Sequence, residues 1–442
     1  MTDSGSNQDP FPAPATRTVT GHSGVFPVHV LVSMYVGYAM FMVLRSAPGA
    51  FASSIKSGPL QFSNGDWAQI TAIGTVGALC GKFVGGLAAD FIGGRKTFAI
   101  GLLLTSAGMA LFSVAQSMVA FKVAMFLALM AKSAGWPAMT QLVVGSFQPR
   151  TYGRVWGVLS TSSRVGTLIA TLGLGFLLSW FGWRPMLQVT SVVGAAIAVV
   201  MFFSLPAMSH QSPELREGHA DHPFAGKSPL NATFAFFMSA RFWLIALSVA
   251  CLTVMWDFLS MVTIFLTDSF QVTDAAASVT SSAFPMGSLV SVLAGGFLFD
   301  RLSRRTMSVV MGCLLIVATS CIGTFCAMPQ MGLSGTEAIR LASVLLFVFG
   351  LCVSPCYYIP MSIFSIQFGG PHSGFLVSLL DAAGFAASAA FYFFLGGLAD
   401  ESWQTFLIAL GIVSSVSAVV TWLFLRGESR IQDVLNTDKG ES

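Results

Sequence analysis

Charge is scarce in this chain. Asp, Glu, Lys and Arg make up 9% of its 442 residues, whereas 54% are hydrophobic and the mean hydropathy is +0.75. About 25% of a typical soluble domain is charged, so the chain lacks the polar surface that a soluble globule of this length needs. The same numbers exclude a disordered chain, a coiled coil and a disulfide scaffold. The composition predicts an all-α polytopic membrane protein.

Several chemical signatures are also missing from the sequence. It contains no P-loop, no C-x-x-C pair, no His-rich cluster and no Ser/His/Asp arrangement that would suggest an enzyme. No basic block exceeds a residue pair and the formal net charge is +3, so nucleic acid is not an expected partner. The seven cysteines lie in apolar runs and are interpreted as small buried hydrophobic residues. We therefore predict that the protein is not an enzyme and has no cofactor and no metal site.

Twelve apolar segments are long enough to span a bilayer, which takes about 20 residues of helix. They cover residues 26–50, 66–92, 97–116, 120–146, 154–180, 185–205, 241–267, 276–299, 306–328, 339–364, 373–397 and 402–425. The longest hydrophilic stretch between them, 207–240, separates six spans from six. We predict a tail (1–25), an N-terminal six-helix bundle (26–205), a linker (206–240), a C-terminal six-helix bundle (241–425) and a second tail (426–442).

The distribution of Lys and Arg in the short loops predicts the orientation, because cytoplasmic loops carry the excess. The loops after spans 2, 4 and 8 contain Arg95, Lys96, Arg150, Arg154, Arg301, Arg304 and Arg305, whereas loops of the opposite side contain Lys56, Arg184 and Arg340. Both termini and the linker are therefore predicted to be cytoplasmic. We expect a monomer in the inner membrane of a bacterial cell, with lipid around it.

The two halves share a loop pattern. Gly86 and Asp90 precede Arg95 and Lys96 after span 2, and Gly296 and Asp300 precede Arg301 and Arg304 after span 8. The Gly and the Asp recur at the same offset of 210 residues, which indicates an internal repeat. In this interpretation the glycine allows close helix approach, and helix amides and arginines hold the carboxylate.

The pattern G-x-x-x-D-x-x-G-x-R-K, with its degenerate second copy, resembles the signature of the major facilitator superfamily. The resemblance covers nearly the whole chain. It implies two six-helix bundles joined by a cytoplasmic linker, with a substrate site between them near the bilayer midplane.

Four segments also resemble the organophosphate/phosphate antiporters, the glycerol-3-phosphate, hexose-phosphate and glucose-6-phosphate permeases. These are Gly37-Tyr38 with Phe41 and Arg45 in span 1, Gly81-Lys82 with Gly85-Gly86 in span 2, Gly135-Trp136-Pro137 in span 4 and Trp156 with Ser160-Thr161-Ser162 in span 5. The resemblance implies that Arg45 and Lys82 face the cavity and bind phosphate. The family's second arginine, in span 7, has no counterpart, because Met255 takes its place and Asp257 lies nearby.

A charged side chain inside a span costs free energy and therefore indicates a functional or structural role. The candidates are Arg45, Lys82, Lys132, Arg164, Asp257 and Asp381; Tyr38 shares a helix stripe with Arg45, and Tyr357 follows Pro355 in span 10, where we expect a local break in the helix. We interpret Arg45 and Lys82 as an anion clamp and Lys132 as a charge at a helix contact. We expect Lys82 to pair with Asp381 and Arg164 to lie near Asp257, at least in one state of the protein. Such pairs could act as gates, as proton-coupling carboxylates, or as static neutralisation of buried charge.

The sequence thus predicts a secondary active transporter that moves a small anion by alternating access. The anion would bear phosphate, phosphonate or carboxylate, and Arg45, Lys82, Tyr38, Asp257, Asp381, Arg164 and Tyr357 would line its site. Two alternatives stay open. One is a carrier for a cationic or zwitterionic solute or a metal ion such as iron, as in magnetosome-like vesicle membranes. The other is a sugar-phosphate sensor that binds its ligand without transporting it.

Overall fold

Apolar helices dominate the computed structural model, which describes residues 27–148, 151–206, 234–298 and 302–440. Within these ranges, twelve helices are long and apolar enough to cross a membrane. They coincide with the twelve predicted segments, so the prediction of an all-α polytopic protein is confirmed. Asp300 and Arg301 of the second loop motif lie outside the described residues.

The first six spans form the N-terminal bundle. They are Val28–Ala50, Asn64–Ile92, Gly94–Val114, Met118–Ser146, Tyr152–Phe181 and Trp183–Ser204. Span 2 packs along span 4, span 3 along span 6, and span 1 along span 5. Span 4 is interrupted after Lys132 and resumes at Gly135, and span 5 contains a π-helical stretch, Ile169–Leu174.

The C-terminal bundle repeats this packing six spans later. Its spans are Ala240–Asp257, Asp274–Gly295, Arg305–Gln330, Gly335–Gly369, Ser373–Glu401 and Trp403–Arg430. Span 8 packs along span 10, span 9 along span 12, and span 7 along span 11. The equivalent partners in the two bundles agree with the internal repeat that the loop pattern predicts.

Three details differ from expectation. Span 7, predicted as one helix over 241–267, is interrupted at Phe258 and continues as a second helical segment, Leu259–Phe270. Span 10 runs unbroken through Pro355 and Pro360, so the expected break at Pro355 is wrong. The last helix extends to Gly440. Most of the segment 426–442, which we predicted as a tail, is therefore helical.

Glycines let spans 2 and 4 approach closely. A Cβ atom built on Gly81 would collide with the Met130 carbonyl oxygen, and one on Gly77 with that of Phe126. Gly86 has open space where its Cβ would lie. Small residues are the usual means by which membrane helices bring their backbones together, and here they fix the wall of the bundle that carries Lys82.

The two bundles meet along spans 2 and 11 and along spans 5 and 8. Hydrogen bonds between them concentrate at the end that carries the 1–2, 7–8 and 11–12 connections. There the Asp400 carboxylate accepts bonds from the backbone N–H groups of Asn64, at 2.5 Å, and Gly65, at 2.9 Å. It thereby caps the first turn of span 2, where a negative charge is favoured.

Two further contacts extend this set, which we call the closed-end seal. The Asp274 carboxylate accepts hydroxyl bonds from Ser53 and Ser54, and the Lys56 ammonium lies 2.6 Å from Asp268. The N-terminal bundle supplies the donors and the C-terminal bundle the carboxylates. The seal therefore holds the bundles together at one end through charge-assisted hydrogen bonds.

The glycine contacts generate a stability prediction. We expect Gly81→Ala to lower the free energy of unfolding by about 1–3 kcal/mol, the usual cost of overpacking, because its Cβ meets backbone that cannot move aside. The measurement is the melting temperature of the detergent-solubilised protein. Gly86→Ala, five residues on in the same helix, is the matched control and should leave it unchanged. Equal melting of both variants would contradict the packing account.

The seal generates a second prediction. We expect Asp400→Ala to open the sealed end, because loss of two charge-assisted bonds costs roughly 1.5–3 kcal/mol each. Spin labels at Ser57 and Gln271, in a background with the native cysteines replaced, would report the distance between the bundles there. The variant should gain a population at longer distance. Asp66→Ala is the control, because Asp66 bonds to Ser63 of its own helix end. A variant whose distance distribution matches the parent's would rule out a sealing role for Asp400.

Candidate functional site

Six Lys, Arg and Asp side chains lie in the middle of the described spans. Arg45, Lys82, Lys132 and Arg164 belong to the N-terminal bundle, and Asp257 and Asp381 to the C-terminal bundle. The structure brings the carboxylates of one bundle against the basic groups of the other. Opposite charges therefore face each other across the contact between bundles.

Arg45 pairs with Asp257. One guanidinium nitrogen lies 3.2 Å from the carboxylate, and the side chains are 26% and 9% exposed. The second carboxylate oxygen accepts a bond of 2.6 Å from the Ser388 hydroxyl in span 11. Asp257 is also the last residue of the first helical segment of span 7, where the helix dipole disfavours a negative charge. The arginine and the hydroxyl offset that cost.

Lys82 pairs with Asp381, as the sequence predicts. The ammonium lies 2.6 Å from one carboxylate oxygen, and both side chains are 14% exposed. The Tyr357 hydroxyl donates to the other oxygen at 3.2 Å, and the ammonium also lies over the Phe385 ring. Three predicted site residues thus form one cluster between spans 2, 10 and 11.

Arg164 does not lie against Asp257 in the way that we expected. Its Nη1 donates to the Ser160 carbonyl and the Ser163 hydroxyl, and its Nε donates to the Ser288 hydroxyl at 3.3 Å. The guanidinium lies 4.3 Å from the centre of the Tyr358 ring. In this arrangement the Asp257 carboxylate pairs with Arg45, whereas Arg164 lies 5.9 Å from the ring of the adjacent Trp256. A closer approach of Arg164 to Asp257 in another state stays a prediction.

Tyr38 is buried in the N-terminal bundle beside Arg45. Its ring centre lies 5.5 Å from that of Trp136, which lies 5.1 Å from that of Trp156. The phenol is within electrostatic range of Arg45 and Arg164. The motif residues of spans 1, 4 and 5 that carry the narrower resemblance therefore meet in one aromatic cluster next to the charges.

A small cavity of about 80 Å³ lies between the bundles, enough for several water molecules. Arg45 and Asp257 line one side, and the remaining lining includes Trp67, Thr71, Thr75, Thr167, Trp256 and Ser260. The Trp67 indole donates to the Ser260 carbonyl at 3.0 Å, just beyond the interruption of span 7. This contact separates the cavity from the closed-end seal.

Sequence reasoning missed several neighbours of the charges. Lys132, interpreted as a packing charge, ends the first segment of span 4 and lies within electrostatic range of two basic groups, Arg45 and Lys82, and of both carboxylates, Asp381 and Asp257. A basic group suits a helix C-terminus. Ser388 follows Asp381 by two helical turns, so both residues lie on the same face of span 11. This spacing could have identified Ser388 as a residue that faces the charged groups. Ser288 gave none, because serines are frequent in this chain.

The loop motif after span 2 adopts a different arrangement from the one expected. Gln141 of span 4 donates to the Asp90 carboxylate at 2.8 Å, and Arg95 turns to span 6, with its guanidinium 5.1 Å from the centre of the Phe202 ring. Gly93, at φ 83°, makes the turn, and Lys96 is exposed. Among the residues that the structure describes, a side-chain amide, and not an arginine, therefore bonds to Asp90.

The second copy is described in part. Gly296 lies within the helix of span 8, and Arg304 begins the helix of span 9. Among the residues that the structure describes, no group of three or more His, Cys, Asp or Glu side chains could hold a metal ion.

Comparisons with known proteins agree with this architecture. The chain is similar to a probable hexose phosphate transport protein of Chlamydia pneumoniae, with 25% identity over 435 residues that cover 89% of this chain and 91% of that protein. The membrane sensor protein UhpC of Salmonella typhimurium is 21% identical over 320 residues, 68% of this chain and 70% of the sensor.

Solved structures show the same fold. The inward-facing, unoccupied form of a bacterial homologue of the human lysosomal transporter Spinster superposes with a TM-score of 0.70, at 14% identity, over 93% of this chain and 99% of that one. The crystal structure of a D-xylose–proton symporter gives a TM-score of 0.69 at the same identity, over 90% and 98%.

The model of one family matches residues 31–264 and 245–440. These two ranges correspond to the two bundles that the helix packing defines, with their shared segment in span 7. The chain is therefore a multi-pass integral membrane protein that belongs to the Major Facilitator Superfamily.

Proposed function

We propose that this protein is a secondary carrier that moves a small anion, bearing phosphate, phosphonate or carboxylate, by alternating access. The observation that carries the proposal is the charge balance at the midplane. Four basic side chains face two carboxylates, and among the described residues no carboxylate lies within ion-pair distance of Lys132 or Arg164. Unopposed positive charge at this depth is costly, and an anionic solute offsets that cost.

The ion pairs between bundles supply the mechanism. Arg45 and Lys82 are each held by a carboxylate of the other bundle, so an anion that binds them must displace Asp257 or Asp381. Displacement removes bonds that tie the bundles together in one arrangement. Binding energy thereby differs between the two states, which is what a ligand needs in order to shift such an equilibrium.

The same contacts weigh against a cationic cargo. Both midplane carboxylates are occupied, Asp257 by Arg45 and Ser388 and Asp381 by Lys82 and Tyr357. A metal ion would need free oxygen ligands in larger number. The names of the hexose phosphate transport protein and of the sensor UhpC support an organic phosphate as the anion, and the sensor is the second candidate function.

Orientation belongs to the proposal as well. The loops at the end opposite the seal carry Arg95, Lys96, Arg154 and Arg305, so this end is proposed to face the cytoplasm. In this proposal the seal faces the outside, and the sealed arrangement corresponds to an inward-facing state of a carrier in a bacterial inner membrane. In this account residues 1–25 and 206–240 are cytoplasmic.

The Arg45–Asp257 pair yields a test of transport. We expect Arg45→Ala to abolish uptake of phosphate esters into proteoliposomes and to cost about 2–4 kcal/mol of stability, because it leaves a buried carboxylate unpaired. Arg45→Ala with Asp257→Ala should recover most of the stability without recovering uptake. Lys122→Ala is the control, because Lys122 bonds to Gln69 near a span end.

The outcomes separate the candidate functions. Phosphate esters that stabilise the parent protein without uptake would favour the sensor. Uptake that persists in Arg45→Ala would contradict a clamp at this position, and uptake of metal ions or amines in place of anions would contradict the carrier proposed here.

Asp381 yields a pH test. When an anion engages Lys82, Asp381 keeps the Tyr357 hydroxyl but loses its ion pair, and we propose that a proton transported together with the anion offsets the charge left behind. We expect uptake by the parent to rise as the external pH falls, and Asp381→Asn to make uptake independent of pH. The measurement is initial uptake against external pH, with Asp66→Asn as control. A variant with the parent's pH profile would remove Asp381 from the coupling.

A further inference from the structure

Arg164 is the most deeply buried of the basic groups in the middle of the spans. The residue is 4% exposed, and it lies in span 5 where this span contacts span 8. A mid-membrane arginine this well shielded from water needs compensation for its charge. Its surroundings show how far that compensation goes.

Two of the three nitrogen atoms of the guanidinium, Nη1 and Nε, donate hydrogen bonds to neutral groups. Two bonds go to Ser160 and Ser163 on its own helix, and one goes to Ser288 in the opposite bundle. The Nη2 atom is buried and has no hydrogen-bond partner within the described part of the chain. A buried donor without an acceptor is expensive, more so when it is charged. The site thus retains both an uncompensated charge and an unused donor.

The contacts of Arg164 come from both bundles. Ser288 also accepts a bond of 2.6 Å from the Ser354 hydroxyl, and the faces of Tyr358 and Trp256 lie 4.3 Å and 5.9 Å from the guanidinium. Hydroxyls and aromatic faces from spans 7, 8 and 10 therefore cover a cation of span 5. Any rocking of one bundle against the other changes this cover.

The Arg45 cavity lies next to this site. Thr167, one helical turn beyond Arg164 on the same face of span 5, lines that cavity together with Trp256. The Trp256 ring therefore stands between Arg164 and the space beside Arg45. Movement of this ring would join the two basic groups into one chamber.

We propose that Arg164 is a further anion-binding residue of the carrier beside Arg45 and Lys82, with its free Nη2 donating to a phosphate or carboxylate oxygen of the solute. The inference rests on the proposed function and deepens it, because it adds a binding group in span 5 to those in spans 1 and 2. It supplies a second arginine in a chain whose span 7 carries Asp257 instead. A guanidinium suits the task, because its planar fork presents parallel donors to an oxyanion.

The test is a thermal-shift titration of the purified full chain with inorganic phosphate, glycerol 3-phosphate and succinate, at constant ionic strength in chloride. We expect one or more of these anions to raise the melting temperature of the parent. Arg164→Gln should weaken that response at least tenfold in apparent Kd. Arg164→Lys should retain part of it, because it keeps the charge without the fork.

The melting temperature without ligand separates a binding role from a structural one. Removing an uncompensated buried charge should leave the melting temperature of Arg164→Gln equal to or above the parent's. Arg184→Gln is the matched control, because Arg184 donates to the Ser113 and Ala115 carbonyls within one bundle. That variant should melt at a lower temperature and keep the full anion response.

Each outcome bears on a different statement. A parent that responds to anions while Arg164→Gln responds equally overturns the role of Arg164 and leaves the anion carrier intact. A loss of melting temperature in Arg164→Gln with an unchanged anion response assigns the residue to structure. A parent that responds to none of the three anions overturns the proposed function, and this inference with it.

Discussion

The cost of placing charge in a membrane governs the organisation of this protein. A charged side chain inside a span is stabilised by a partner. Two ion pairs form across the contact between the bundles, Arg45 with Asp257 and Lys82 with Asp381. Each pair satisfies a charge that neither bundle could carry alone at low cost. The ion pairs that lower the cost of charge in the membrane are therefore also the contacts that stabilise one arrangement of the two bundles.

The internal repeat gives these pairs their geometry. Arg45 lies in span 1 and Asp257 in the equivalent span 7, and both spans pack against equivalent neighbours, spans 5 and 11. The repeat thus sets similar backbones on the two sides of the contact between the bundles, and the side chains on them have opposite charge. An N-terminal wall rich in basic groups faces a C-terminal wall that carries the carboxylates. Because the basic groups outnumber the carboxylates, part of the positive charge of the N-terminal bundle has no carboxylate opposite it.

Much of the fold followed from the sequence because the physics involved is local. Twelve apolar runs predict twelve spans, and the shared Gly and Asp spacing predicts the repeat. The pairing of Lys82 with Asp381 was also predictable, because the family architecture sets span 2 against span 11. The partner of Asp257 was not, since it depends on the rotation of span 1 and on the end of a helical segment at Asp257. The interruption after Lys132 was not predicted, although Gly135 and Pro137, which follow it, are helix-breaking residues.

The interruption of span 7 at Phe258 has a consequence for leakage. The segment before it carries Asp257 and contacts Arg45, whereas the segment after it carries Ser260, which accepts the Trp67 indole bond. Phe258 joins the two segments, so the contacts of span 7 are divided between two levels along its length. In the carrier proposed above, contacts that break at one level while those at the other hold would enclose the solute on both sides and prevent a continuous pore.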